Sequence, residues 1–325
     1  METVLVIGAT GQTGFATVRK LRARGADVRA LIRDEAQAPR LTTLGVETVL
    51  GDLTDSASLR RACSGAGVVI CTANVSVPTR SADTFEAVER DGYRSLVGIA
   101  SAAKVRRFIY TSVMLTKYTR LSPFLQYKRA TEAAVTACGV DSVIFRAGIF
   151  MDTAFAMMGS AIPLRGAEAA TIQRPFGFVN RHFSKIGDSI ETKRTALIPG
   201  SGNKRHSFIC VDDVASYLDA AAAGGPSGIH TIGGPEALTF LDVVKIYERI
   251  LGFPLRVRRT PAAMFRLAAT LLRPFTPAGA NLMVLNYIGT QEETVFDVAP
   301  ARAFGVRLTS AEEFLRSRSG LAATP

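Results

Sequence analysis

The first fourteen residues constrain this chain more than any other stretch. An apolar run at 4–7 leads into Gly8, Gly11 and Gly14, and a helical pattern at 13–24 follows. A strand that ends in a glycine turn and feeds a helix is the opening of a dinucleotide-binding βαβ unit. Gly8 permits the tight turn, Gly11 lets backbone approach a pyrophosphate, and Gly14 lets helix pack closely on strand. The N–H groups that open the helix have no partner within it. The GATGQTG segment (8–14), which includes Thr10, Gln12 and Thr13, therefore reads as a phosphate cradle.

The pattern continues past this unit. Strand-like runs at 28–32, 48–50, 68–71, 108–111 and 142–146 alternate with helical stretches such as 83–103 and 124–138. Such alternation predicts an α/β fold, a doubly wound parallel sheet with helices on both faces. Residues 1–150 are expected to form the dinucleotide-binding domain, and 151–325 a smaller region covering the substrate. Within that region a short strand at 207–211 and a helix at 212–223, capped by Asp212, are expected to return to the first domain. Further on the pattern gives a helix at 240–251, a strand at 255–258 and apolar helices at 261–272 and 278–287. A last helix starts at Ser310, with Glu313 completing a capping box. The stretch 164–194 is long for a connection, and such connections tend to be lids.

Composition excludes several classes. The 325 residues include four cysteines, Cys63, Cys71, Cys138 and Cys210, far apart and without CxxC spacing. They read as reduced core residues, and no His, Cys or carboxylate grouping suggests a metal. No basic leader opens the chain. The uncharged run 274–291 is interrupted by two Pro, two Asn and two Thr, so it reads as no membrane span. A cytoplasmic protein is expected. The net charge of +11 is spread evenly, with 20 basic and 14 acidic residues in 1–160 and 19 and 14 in 161–325. That distribution argues against a nucleic-acid arm.

The end of the second strand selects between the two dinucleotides. Arg33 comes first in ALIRD (30–34), and a guanidinium forks onto a 2′-phosphate, which favours NADP(H). The other reading gives the ribose hydroxyl to Asp34 or Glu35 and leaves Arg33 solvated. Asp52, next to Leu53 after the third strand, either reaches toward an adenine or caps the helix that begins near Asp55. Thr72, Ala73 and Asn74 place small residues where a cofactor would cross the end of the fourth strand.

These segments, with RRFIYTSV (106–113), Lys128 and FRAGIF (145–150), resemble the atypical short-chain dehydrogenase/reductase superfamily, in its NmrA-like branch with isoflavone-reductase-like enzymes. RHSFICVDDVASYL (205–218) looks like that branch too. The tail at 238–252 and 301–315 is similar to the NADPH-binding accessory subunit of respiratory complex I and to photosystem-assembly relatives. The resemblance implies a Rossmann fold and an NADP(H) site at Gly8, Thr10, Gly11, Gln12, Thr13, Gly14, Arg33, Asp52, Leu53, Thr72, Ala73, Thr111, Lys128, Ala147, Gly148 and Ile149.

It also exposes a departure. Ordinary members carry a Ser after strand five, then a Tyr and a Lys four residues apart on the next helix. The Lys lowers the phenol pKa for proton transfer. Here Ser112 and Lys128 occupy two of those positions, and the Tyr position holds Phe124. Three readings follow. Lys128 works alone or through water, with its ammonium destabilised by burial. Another phenol, Tyr127 or Tyr118, stands in. Or the site is not catalytic, and Lys128 holds the nicotinamide ribose.

The expected cover, 147–163 and the helices after 261, carries Met151, Phe155, Met157, Met158, Met264 and Phe265, which suits an apolar substrate or simply a core. His206 and His182 read as loop histidines, and His230 as structural. Residues 249–291 hold six Arg and no acid around the apolar helix 262–272. That helix either meets an anionic membrane or an acidic partner, or is buried with its Arg stems snorkelling. The expected activity is hydride transfer from NADPH to a carbonyl or conjugated double bond of an apolar small molecule. The alternative is a non-catalytic NADPH-binding redox sensor or assembly factor.

Overall fold

The computed structural model describes residues 2–76, 82–166 and 187–320. In chain order the first half contains β1 (Thr3–Ile7), α1 (Gln12–Ala23), β2 (Val28–Ile32), α2 (Ala38–Thr42), β3 (Glu47–Leu50), α3 (Ser56–Cys63) and β4 (Ala66–Cys71). A π-helical stretch, Phe85–Gly92, then runs into α4 (Tyr93–Ala102), followed by β5 (Arg107–Val113), α5 (Pro123–Ala137) and β6 (Asp141–Ala147). The second half adds α6 (Met151–Met157), α7 (Ser189–Lys193), β7 (Thr195–Pro199), α8 (Val211–Ala223), β8 (Gly228–Ile232), α9 (Phe240–Leu251) and β9 (Arg256–Thr260). It ends with α10 (Ala262–Leu272), α11 (Pro277–Gln291), α12 (Ala299–Phe304) and α13 (Ala311–Ser319).

Seven parallel strands form one sheet in the order β3-β2-β1-β4-β5-β6-β8. The order reverses between β1 and β4, and the crevice at such a reversal is where doubly wound folds bind ligands. The α/β expectation holds, and the seventh strand comes from residues beyond 150. The inner strands β1, β2, β4, β5 and β6 are largely apolar and buried because both faces are covered. One core packs α1, α8 and α12 on the sheet through Val18, Leu21, Tyr217 and Phe304. The other packs α3, α4 and α5 through Leu59, Leu96, Phe108 and Val135. A third core joins α6, α9 and α13 around Phe155, Phe208, Tyr247 and Phe314, over the carboxyl end of the sheet.

Four expectations change. Residues 207–211 form no strand. Only isolated bridges tie this stretch down, Ile209 to Phe150 and His206 to Leu238 and Thr294. Asp212 is not the cap of α8. Cys210 holds that position, and the buried Val211 N–H is met instead by Asp152 Oδ2 from α6 at 3.0 Å. Ser310 does cap α13, but the Glu313 carboxylate turns to Arg307. A full capping box instead opens α9, between Thr239 and Asp242. Finally, 83–103 is not one regular helix, because its first half takes the π form. Most of the stretch 164–194, His182 included, lies outside the described residues.

Candidate functional site

The glycine turn is built as the sequence requires. Gly8 has φ +89°, and a Cβ there would stand 2.5 Å from Ala73 N. At Gly14 a Cβ would stand 2.0 Å from the Gly8 carbonyl oxygen, so helix and strand approach as only glycine allows. Gly11 occupies the N-cap of α1 with no side chain satisfying the helix, and its own N–H donates to Gly8 O at 3.0 Å. The first turn of a twelve-residue helix thus presents unpartnered donors beside a strand end, the geometry that accepts a phosphate. Thr72 closes the turn from β4, its hydroxyl donating to Ile7 O at 3.2 Å. These features fit a dinucleotide pyrophosphate.

At the end of β2, Arg33 Nη1 lies 2.8 Å from Asp83 Oδ2, with its side chain about one-third exposed. Asp34 is occupied in capping the next turn, where it accepts from Ala36 N–H at 2.9 Å. Both charged residues at this strand end are thus already engaged, Arg33 by Asp83 and Asp34 by the turn that follows. Asp52 accepts from Thr54 N–H at 2.9 Å, and the cap of α3 is Asp55. Leu53 is buried in the core, so only its backbone can face a ligand.

The third part of the site lies where β5 meets α5. Ser122 caps α5 and Pro123 opens it, which fixes the helix register. Phe124, Leu125 and Lys128 then point inward. Lys128 is buried and pairs with Glu89 Oε2 at 3.0 Å, ringed by Tyr110, Tyr93 and Phe124. Glu89, on the π-helical stretch, also accepts from Val75 N–H at 2.9 Å, which ties it to the end of β4. Tyr93 adds a second tie by donating its hydroxyl to Ala73 O. Burial raises the Tyr93 and Tyr110 phenols well above their usual range, so neither gives up a proton near neutral pH.

Ser112 and Lys128 do not form a pair. The Ser112 hydroxyl donates to Glu132 Oε1 at 2.6 Å, within a cluster where Arg129 and Arg146 flank that carboxylate at 2.7 and 2.6 Å. Tyr127 turns away from the crevice, its hydroxyl 3.3 Å from Glu86 and its ring beneath Arg90. Tyr118 packs edge-on against Tyr287. No described phenol takes the place left by Phe124.

Glu89 and Glu132 are the residues that sequence reasoning missed. A signal was present. Glu89 falls in register with Phe85, Val88 and Gly92, and Glu132 with Leu125, Lys128 and Val135. A carboxylate on the apolar stripe of a helix has to find a buried partner.

A cavity of about 430 Å³ begins at Thr13 and Thr72 of the cradle and runs over the carboxyl ends of β5 and β6. Thr111, Ala147, Gly148 and Ile149 form its floor, and Phe124 and Lys128 one wall. Met157, Met158, Phe240, Phe265 and Ile288 enclose the far end. Of the residues expected to cover a substrate, Met151 and Phe155 are core, and Met264 is exposed on the outside of α10. The Thr111 hydroxyl oxygen is buried and meets no partner among the described residues.

His206 lies in the irregular connection between β7 and α8, as expected, and is fully buried there. Nδ1 lies 2.8 Å from the Thr294 hydroxyl, Phe208 and Phe240 pack edge-on against the ring, and burial holds its pKa down at about 4. His230 packs against Phe304 at 5.0 Å between centroids.

A doubly wound sheet with a glycine cradle at its switch point has the architecture of an NAD(P)-binding Rossmann fold of the oxidoreductase type. The chain belongs to the NmrA-like family, whose model matches residues 1–314. It is 26% identical over 268 residues to the Photosystem II assembly factor Ycf39 of Cyanophora paradoxa, covering 82% of this chain and 74% of that one. Over a shorter stretch of 143 residues it is 36% identical to the ceramide reductase of Caulobacter vibrioides, 44% of each chain. Among solved structures, the NADPH-dependent quinone oxidoreductase QOR2 of Escherichia coli, complexed with NADPH, has the same fold. The TM-score is 0.69 at 19% identity, over 97% of this chain and 99% of that one.

Proposed function

We propose that this protein is an NADPH-dependent reductase that transfers hydride to a carbonyl or conjugated double bond of an apolar small molecule. The observation that carries this reading is the continuity of the glycine cradle with the apolar chamber through Thr13 and Thr72. Thr111 and Lys128 line the part of the chamber where the nicotinamide of a bound dinucleotide would stand.

Each residue then has a task. The α1 terminus and Gly8 hold the pyrophosphate, and Arg33 meets the 2′-phosphate. Bound NADPH supplies the hydride. Lys128 carries the proton that the reduced acceptor takes up, and Glu89 holds that ammonium against the chamber wall. Thr111 donates its free hydroxyl to the acceptor or to the nicotinamide amide. The Met and Phe side chains exclude water around the reacting atoms. The likeness to a ceramide reductase and to a quinone oxidoreductase supports an apolar acceptor.

A second reading, a non-catalytic NADPH-binding assembly factor, is favoured by Phe124 and by the engagement of Ser112 with Glu132. The Ycf39 relative is in keeping with it. NADPH oxidation measured against a panel of quinones and conjugated enals of increasing chain length separates the two. Saturable turnover that rises with chain length and falls at least about 100-fold in Lys128→Met supports the reductase. Tight NADPH binding with no turnover on any acceptor favours the assembly factor.

A further inference from the structure

The hairpin of α10 and α11 has two faces with different surroundings. Its inner face closes the chamber through Phe265, Leu285 and Ile288. Among the described residues nothing covers its outer face. Met264, Leu267 and Leu271 fall on one side of α10 at helical spacing, and they are 57%, 60% and 61% exposed. Phe275, just past the helix end, is 85% exposed. An apolar stripe left open to water on a helix that buries only Ala269 is not explained by the core of this chain.

Charge identifies what covers it. Arg266 stands one step, about 100°, round the helix from Leu267, and Arg273 repeats that position two turns on. Arg256 and Arg258 are exposed on β9, immediately before the hairpin. None of these four arginines has an ion-pair partner among the described residues, whereas Arg249 is already taken by Glu312 at 2.7 Å. The stretch 249–291 contains no acidic residue that would repel an anionic surface. An exposed apolar stripe flanked by unpaired cations, on a helix too short and too basic to cross a bilayer, has the make-up of an interfacial helix.

We propose that the outer face of α10 docks on an anionic lipid bilayer, and that the chamber roofed by its inner face receives an apolar molecule partitioned in that bilayer. The second half rests on the chamber being the reductase's substrate site; the docking does not. Lifting or sliding this one hairpin is then what opens the chamber, and it opens toward lipid rather than water.

The test is co-sedimentation of the full chain with vesicles of phosphatidylcholine alone or mixed with phosphatidylglycerol, at low and high salt. The expected result is binding to the anionic vesicles that weakens with salt. It should fall roughly tenfold or more in Arg266→Glu/Arg273→Glu and in Leu267→Glu/Leu271→Glu. All four side chains are exposed and lie off the chamber wall, so both variants should keep wild-type NADPH binding. Absence of vesicle binding, equal binding to both vesicle types, or a stripe consumed by self-association that Leu267→Glu/Leu271→Glu abolishes, overturns the docking. A paired assay compares a long-chain enal held in the vesicles with its soluble short-chain analogue. Loss of vesicle-held turnover alone in the stripe variant supports delivery from the bilayer. Equal turnover of the vesicle-held enal by wild type and variant overturns it. Vesicle binding with no turnover of either enal removes the reductase and the delivery while leaving the docking in place.

Discussion

Lys128 Nζ stands 3.0 Å from the Glu89 carboxylate, and both side chains are buried. The pair joins α5 to the end of β4 through Val75. Removing one member leaves a charge stranded in the core, which costs about 3–5 kcal/mol. Glu89→Ala is expected to lose stability on that scale, measured from its urea midpoint. The double variant Glu89→Leu/Lys128→Met should recover most of the loss. A double variant no more stable than the single one would mean that the two charges are not coupled.

The cradle makes a sharper claim, because it rests on backbone. In Gly14→Ala the new methyl meets the Gly8 carbonyl oxygen at 2.0 Å, so the turn has to open. NADPH affinity should drop by at least about 100-fold, read from nicotinamide fluorescence, which no tryptophan obscures in this chain. The control is Gly98→Ala in α4, where a Cβ meets nothing within 4 Å. That change should leave binding intact and stabilise the fold by about 0.5–1 kcal/mol. Equal effects from the two substitutions would contradict the assignment of Gly14.

Much of this architecture was legible in the sequence because each cue was local. Apolar runs and glycine spacing marked six of the sheet strands, and the residues at the strand ends marked the cradle. What escaped depended on contacts between distant segments. The 207–211 run is β-branched and apolar, yet it has no neighbouring strand and forms only single bridges. The Asp212 cap failed because Asp152, sixty residues earlier, supplies the acceptor. Ser112 sat at the expected sequence position, but Glu132 and two arginines decide what its hydroxyl does. Helix α10 was readable as apolar and basic, while only its packing tells which face is inside.

Arg33 is the proposed discriminator between the two dinucleotides. Arg33→Ser should weaken NADPH by about tenfold or more and leave NADH nearly unchanged, since one charge-assisted bond to phosphate is lost. Equal weakening for both cofactors would place Arg33 in fold maintenance through Asp83 instead.

His206 predicts a pH dependence. Its pKa is held at about 4 in the fold by burial, against about 6.5 in the unfolded chain. Above pH 6.5 the ring is neutral in both states and contributes no bias. As pH falls from about 6.5 to 4, only the unfolded chain takes the proton, so stability declines by about 3 kcal/mol. Urea midpoints across that window should show the decline in wild type and a flatter profile in His206→Gln. Parallel profiles would mean that other groups account for the acid sensitivity.

The central claim is that the chamber performs reduction. The most direct measurement incubates the protein with NADPH deuterated at nicotinamide C4 and a long-chain conjugated enal, and follows the label by mass spectrometry. The account predicts one deuterium in the reduced acceptor, from one face of the nicotinamide only, and loss of that product in Lys128→Met. Saturable NADPH binding with no label leaving the cofactor, across carbonyl and enal acceptors alike, would contradict it.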